Sequence, residues 1–166
     1  MIFTASPDGY LTWAEVSARC ALGRSGTTLA HAKREGDGGS PRGIWPFRRI
    51  LYRPDRLAQP ATGLVCQALS PQDGWCDAPH DLAYNQPVTL PYPASAEALW
   101  REDHVYDLIV VLGHNDHPVV PLMGSAIFLH LARSDYAPTE GCVALALPDM
   151  LALLAVAGPG DALAIV

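Results

Sequence analysis

The chain has 166 residues, enough for one domain with a sizeable core. Apolar residues make up 49% and charged residues 17%, which excludes a disordered chain. Net charge is −6, and the eleven Lys and Arg form no long block, which argues against a nucleic-acid partner.

Fourteen glycines and fifteen prolines are spread along the chain. So many turn formers favour a strand-rich fold with few long helices. Pro7-Asp8-Gly9 signals a turn, and Tyr10-Leu11-Thr12-Trp13 after it reads as a strand. Glu35-Gly36-Asp37-Gly38-Gly39-Ser40-Pro41-Arg42-Gly43 carries four glycines in nine residues, a tight connection with positive φ angles. It is not a phosphate-cradling loop, because no Gly-Lys-Ser/Thr and no long helix follow. Residues 70–96 are loop-rich and read either as a binding wall or as a surface excursion. A short helix is expected from Ser95 to Trp100, with Ser95 as N-cap.

Asp107-Leu108-Ile109-Val110-Val111-Leu112-Gly113 reads as a central strand. Residues 125–130 read as a second, with Ala126, Phe128 and His130 on one face and Ile127 and Leu129 on the other. A helix is expected over residues 148–156, stopped by Gly158-Pro159-Gly160, and a last strand over 161–166. The expected fold is predominantly β, a sandwich or flattened barrel with two or so short helices. It is expected to form a single domain, 1–166, without repeats or linkers.

No basic n-region with an unbroken apolar h-region opens the chain, and no run of eighteen apolar residues occurs. The expectation is a cytoplasmic protein without a membrane partner, or a periplasmic one if an N-terminal segment has been lost. The four cysteines, Cys20, Cys66, Cys76 and Cys142, include no Cys-x-x-Cys, which removes zinc ribbons and thioredoxin-type motifs. Free thiols are expected, with a Cys66–Cys76 pair open in an oxidising compartment. No cofactor is expected.

The chemistry candidates converge on Thr139-Glu140-Gly141-Cys142-Val143-Ala144-Leu145. His130 ends a strand twelve residues earlier, so a loop and a return can bring imidazole and thiol together. A cysteine nucleophile needs such a base, itself oriented by a carbonyl or carboxylate. Gly141 would let a substrate carbonyl approach backbone N–H groups around Cys142. The competing reading is a core histidine and a core cysteine. His114-Asn115-Asp116-His117 offers a metal shell completed by His130 and Cys142, or simply a polar turn. Tyr84, Asn85, Tyr106 and His114 are candidate pocket residues. Lys33, Arg42 and Arg133 are candidates to meet carboxylates. Thr139 is expected to tie the loop or touch substrate, with Glu140 beside it.

At these residues the chain resembles the L,D-transpeptidase (YkuD-type) catalytic domain. That family carries a histidine at a strand end, then Ser/Thr-any-Gly-Cys-Val/Ile, here His130 and Thr139 to Val143. Pro148-Asp149, an apolar helix and Gly160-Asp161 follow in step. Lys33-Arg34-Glu35-Gly36-Asp37-Gly38 with Ser40-Pro41-Arg42-Gly43 is similar to the family's Gly-Asp…Pro-any-Gly segment. Trp75-Cys76-Asp77, Tyr84-Asn85 and Tyr106-Asp107 resemble a compact bacterial branch. Two positions depart: Ala144 stands where the family commonly has Arg, and Leu131 where it commonly has Gly.

The resemblance implies a cysteine acyl-transfer enzyme of peptidoglycan metabolism. Cys142 would attack the bond between a diamino acid, typically meso-diaminopimelate, and terminal D-Ala. His130 would be base and then acid, oriented by the Leu131 carbonyl. N–H groups of Gly141 and Cys142 would hold the oxyanion. The implied partner is a tetrapeptide or muropeptide, and a carbapenem-type β-lactam is expected to acylate the cysteine. The expectation is an L,D-carboxypeptidase of cytoplasmic muropeptide recycling. The alternatives are a cross-linking L,D-transpeptidase and a non-catalytic module that binds stem peptides.

Overall fold

The computed structural model describes residues 1–166. The chain opens with β1 (Ile2–Ser6), β2 (Tyr10–Trp13) and β3 (Val16–Ala21), a meander of short hairpins. The Pro7-Asp8-Gly9 turn joins the first two, with Gly9 at φ +84°. β4 (Thr27–Leu29) leads into a 3-10 turn (Ala30–Ala32) and then β5 (Ser40–Tyr52), the longest strand. An excursion follows: β6 (Cys66–Ala68), β7 (Asp73–Cys76), β8 (Pro87–Thr89) and β9 (Ala96–Ala98). The chain returns through β10 (Leu108–Leu112), β11 (Phe128–Leu131), β12 (Val143–Leu145), α1 (Leu147–Val156) and β13 (Ala162–Ile165).

Pairing closes the main sheet on itself. The order β10-β11-β12-β3-β2-β1-β13-β5 returns to β10, because β5 pairs with β13 through residues 43–46 and with β10 through residues 47–52. Of the sandwich or flattened barrel that was expected, the strands form the barrel. Inside it lies a core that includes Phe3, Leu11, Ile50, Leu108, Val110, Leu129, Leu145 and Leu163. Helix α1 plugs one end with Met150, Leu153 and Leu154, spaced three and four apart on one face. Each such side chain taken from water stabilises by roughly 1.5–3 kcal/mol.

A second, smaller core lies outside the barrel. β7 pairs with β8 and β9 in a three-stranded sheet that covers the outer face of β10 and β11. There Trp75, Leu99, Val105 and Tyr106 meet Ile109, Val111, Phe128 and Cys142. This explains why β10 is buried at every position: its two faces serve two cores. The same alternation puts Ala126 and Phe128 in the outer core and Ile127 and Leu129 in the inner one. The excursion is therefore a wall rather than a free surface loop.

Two expected elements differ. Residues 96–98 form a strand, not a helix, pairing with β7 through Glu97 opposite Trp75. So short a run cannot offset the cost of helix nucleation, whereas the β7 edge offers it a ladder at once. The strand expected over 125–130 begins only at Phe128, because Ala126 turns at φ +51°. There is one α-helix where two or so were expected, the other helical turn being the 3-10 piece.

Candidate active site

Strands β11 and β12 run parallel, with Leu129 opposite Val143 and His130 opposite Ala144. Period-two alternation puts Phe128 and His130 on the same face as Cys142 and Ala144. Cys142 therefore opens onto the outer cleft beside His130, and both residues are 7% exposed.

The loop before Cys142 is tied at several points. Thr139 Oγ1 donates to the Cys142 carbonyl at 2.6 Å, and Ser40 Oγ donates to the same oxygen at 3.2 Å. Ser40 Oγ in turn accepts from the Gly23 N–H at 2.9 Å. Gly141 sits at φ +133°, and a Cβ there would stand 3.0 Å from the Gly39 carbonyl oxygen. Its N–H donates to Thr139 Oγ1 at 3.1 Å. The glycine is thus required by backbone conformation and by packing on the 35–43 loop, not by access for a substrate carbonyl. Gly141 does not line the cleft, and its N–H is committed to Thr139. The Cys142 N–H, by contrast, has no hydrogen-bond partner.

Cys142 Sγ donates to the Ala126 carbonyl at 3.2 Å and accepts from the Phe128 N–H at 3.3 Å. Burial pushes the thiol up to about 12, with the Phe128 N–H acting the other way. His130 Nδ1 lies 2.9 Å from the Leu131 carbonyl. A carbonyl only accepts, so Nδ1 carries the proton and Nε2 keeps its lone pair. Burial pulls this imidazole down to about 4. At neutral pH the two groups are therefore a neutral thiol and a neutral imidazole. Tyr106 packs edge-on against His130 with ring centroids 5.3 Å apart, and its hydroxyl donates to Glu97 Oε1 at 2.7 Å.

The cleft encloses about 540 Å³ and is lined by charged residues of both signs. Near His130 stand Arg101 and Arg133. Arg101 donates twice to Asp103, both at 2.8 Å, and Arg133 Nη2 reaches the same carboxylate at 3.2 Å. The Arg101 hydrogen bonds hold Asp103 down at about 2. Glu97 lies 3.9 Å from Arg101 Nη1, and Glu35 and Asp77 also line the cleft. Glu35 accepts from the Tyr84 hydroxyl and, at 2.8 Å, from Ser125 Oγ. Burial raises Glu97, and the Asp77 and Glu35 charges add to it. Lys33, 2% exposed, lines the same cleft and is ion-paired to Asp37.

Against this geometry, the family model of the L,D-transpeptidase catalytic domain, YkuD, matches residues 6–166. The chain belongs to the L,D-transpeptidase family. No curated protein and no solved structure matches it. The family's activity is cysteine acyl transfer of the L,D-transpeptidase type on peptidoglycan stem peptides.

In this L,D-transpeptidase domain the cleft brings together Cys142, His130, Leu131, Arg133, Thr139 and Glu140. Glu140 is on the rim, held by Arg24 Nε at 2.9 Å. Tyr84, Asn85 and His114 were expected in the pocket, but they stand behind its wall. Tyr84 supports Glu35 from behind. Asn85 Oδ1 accepts from Trp75 Nε1 and from the Ala126 N–H, both at 3.0 Å, so it fixes the turn whose carbonyl meets Cys142 Sγ. His114 packs edge-on against Trp45 at 4.8 Å, while Asp116 pairs with Arg48 at 2.7 Å, so the alternative metal shell is not assembled. No three His, Cys, Asp or Glu side chains converge in metal-holding geometry. Arg42 bonds Thr27 away from the cleft. All four cysteines, Cys66 and Cys76 included, are free. Sequence reasoning missed Arg101, Asp77 and Glu97. They lie in the irregular excursion, whose pairing with the barrel no local pattern announces.

Proposed function

We propose that the chain is an L,D-carboxypeptidase that removes D-Ala from a tetrapeptide stem, with Cys142 as nucleophile and His130 as base. The observation that carries this reading is the His130 Nδ1 bond to the Leu131 carbonyl, beside a buried thiol on the same strand face. It leaves Nε2 as the acceptor for the thiol proton. In the proposed cycle sulfur adds to the diamino acid's own carbonyl, the one bonded to the D-Ala nitrogen, as the proton passes to His130. The tetrahedral oxyanion meets the Cys142 N–H, whose lack of a partner supports that role. The C–N bond then breaks, His130 returns the proton to the leaving amine, and D-Ala departs. Water adds to the thioester with His130 as base and frees the cysteine.

Thr139 acts in this scheme through the loop, since its hydroxyl is used on backbone. Arg133, half-exposed and bonded only once, remains for substrate, with Glu140 on the rim tied to Arg24. Water is the proposed acceptor of the thioester, entering once D-Ala has left; an amine entering at the same step is the competing reading. Soluble muropeptides in the cytoplasm belong to the same proposal, a compartment in which four unpaired thiols persist.

The test is D-Ala release from a muramyl tetrapeptide, with and without an amine acceptor, and with Cys142→Ala as control. Release without acceptor, abolished in the variant, is the expected result. Release only with acceptor, giving a cross-linked product, makes the protein a transpeptidase. No release in either case makes it a stem-peptide-binding module. Mass spectrometry after carbapenem treatment is expected to find the adduct on Cys142.

A further inference from the structure

We infer that Arg101 and Arg133 form a clamp for the free α-carboxylate of the leaving residue, so that only a C-terminal residue is removed. The inference rests on the proposed acyl transfer and adds to it a rule for which bonds are cut.

Two guanidinium cations face the cleft here, and a single carboxylate, Asp103, bonds both. Arg101 spends Nε and Nη2 on it. Arg101 Nη1 lies 3.9 Å from Glu97, beyond hydrogen-bond reach. Arg133 makes one contact, at 3.2 Å, and its side chain is 53% exposed. Asp103 therefore orients the pair without exhausting its donors, and with Glu97 it balances both charges, so what the pair offers an anion is the free N–H fork of half-exposed Arg133. Planar forks of N–H groups bind carboxylates best, which defines the ligand class.

Position identifies which carboxylate. Both guanidiniums lie on the His130 side: Arg101 stands 5.2 Å from the Tyr106 ring, which packs on His130 at 5.3 Å, and Arg133 stands just past the end of β11. His130 must deliver a proton to the leaving amine, so the leaving residue lies on that side of Cys142. An α-carboxylate is two bonds from its own amine. A leaving amino acid whose nitrogen meets Nε2 therefore carries its carboxylate toward the two arginines. An internal residue has an amide there, which brings no charge to the clamp.

The experiment compares a muramyl tetrapeptide with the same peptide carrying a C-terminal carboxamide. Binding is measured by calorimetry on Cys142→Ala and turnover on the active chain. The clamp predicts that the acid binds at least tenfold tighter than the amide. It also predicts that Arg133→Ala, in either background, removes most of that preference, while Arg133→Lys restores part of it. Because Arg133 is exposed and in a loop, its loss is not expected to unfold the protein. Arg101→Lys, which keeps charge but loses the fork to Asp103, is expected to weaken acid binding and leave amide binding unchanged. Equal affinity for acid and amide, or a preference that survives Arg133→Ala, overturns the clamp. Acid preference without any turnover upholds the clamp and removes the carboxypeptidase reading instead.

Discussion

Cys142 and His130 do not stand as a thiolate and an imidazolium. Burial raises one to about 12 and lowers the other to about 4, so each is neutral across the physiological range. The proton then moves as the sulfur attacks, not before. A preformed ion pair would give iodoacetamide a pH-independent alkylation rate from about pH 5 to 8. Here the Cys142 rate is expected to be slow at pH 7 and to rise about tenfold per pH unit through pH 9. A plateau near neutrality, read by mass spectrometry of the Cys142 peptide, would refute the neutral pair. At this scale the sequence was informative, because Thr139-x-Gly-Cys142 and His130 are local in the chain and their chemistry is in the residue type. The reason for Gly141 was not legible. It depends on the Gly39 carbonyl, a hundred residues away in sequence, and on a φ value that no side chain announces.

Among the elements, the connection 35–43 and the turn 124–127 support the cysteine from two sides. Gly141→Ala would force a Cβ to 3.0 Å from a backbone oxygen and a β-carbon into φ +133°. Expected costs are about 1–3 kcal/mol of stability and the loss of most activity, as the Thr139 tie shifts. Thermal unfolding and D-Ala release measure the two separately. A Gly141→Ala protein of unchanged midpoint and rate would remove the packing explanation. A continuous run of branched apolar residues marked β10, period-two alternation marked the faces of β11, and a proline-started apolar run marked α1. The β9 segment misled because Ser95-Ala96-Glu97-Ala98-Leu99 is locally helix-like. Its strand state comes from the edge of β7, twenty residues earlier.

For the molecule as a whole, buried histidines set an acid limit. His114 and His130 are both drawn from the ordinary value of 6.5 to about 4, chiefly by burial. Between those two values the unfolded chain binds protons that the folded one refuses. Stability is then complete above about pH 6.5 and declines as pH falls toward 4. Each histidine contributes at most about 3 kcal/mol to that decline. The lowered carboxyls, Asp103 among them, add losses only at lower pH, as it falls through their folded values. Urea midpoints taken from pH 7 to pH 4 are expected to fall steadily. His114→Phe, which keeps a ring against Trp45, is expected to flatten the slope by about half. A slope unchanged in that variant would mean His114 is protonated freely in the fold. Strand content and a compact β architecture were readable from turn residues and apolar runs. Ring closure was not, since it depends on which strand ends meet.

That closure has a consequence in time. β13 is the final element, yet it is inserted between β1 and β5, pairing parallel to one and antiparallel to the other. A growing chain can form the hairpins of its first third, but β1 and β5 stay bare along the facing edges until residues 162–165 emerge. On the ribosome the barrel is a ring with a missing stave. The cleft built against the barrel gains its rigid wall only once residues 162–165 have joined, so the reactive thiol is framed for chemistry only after synthesis has passed them.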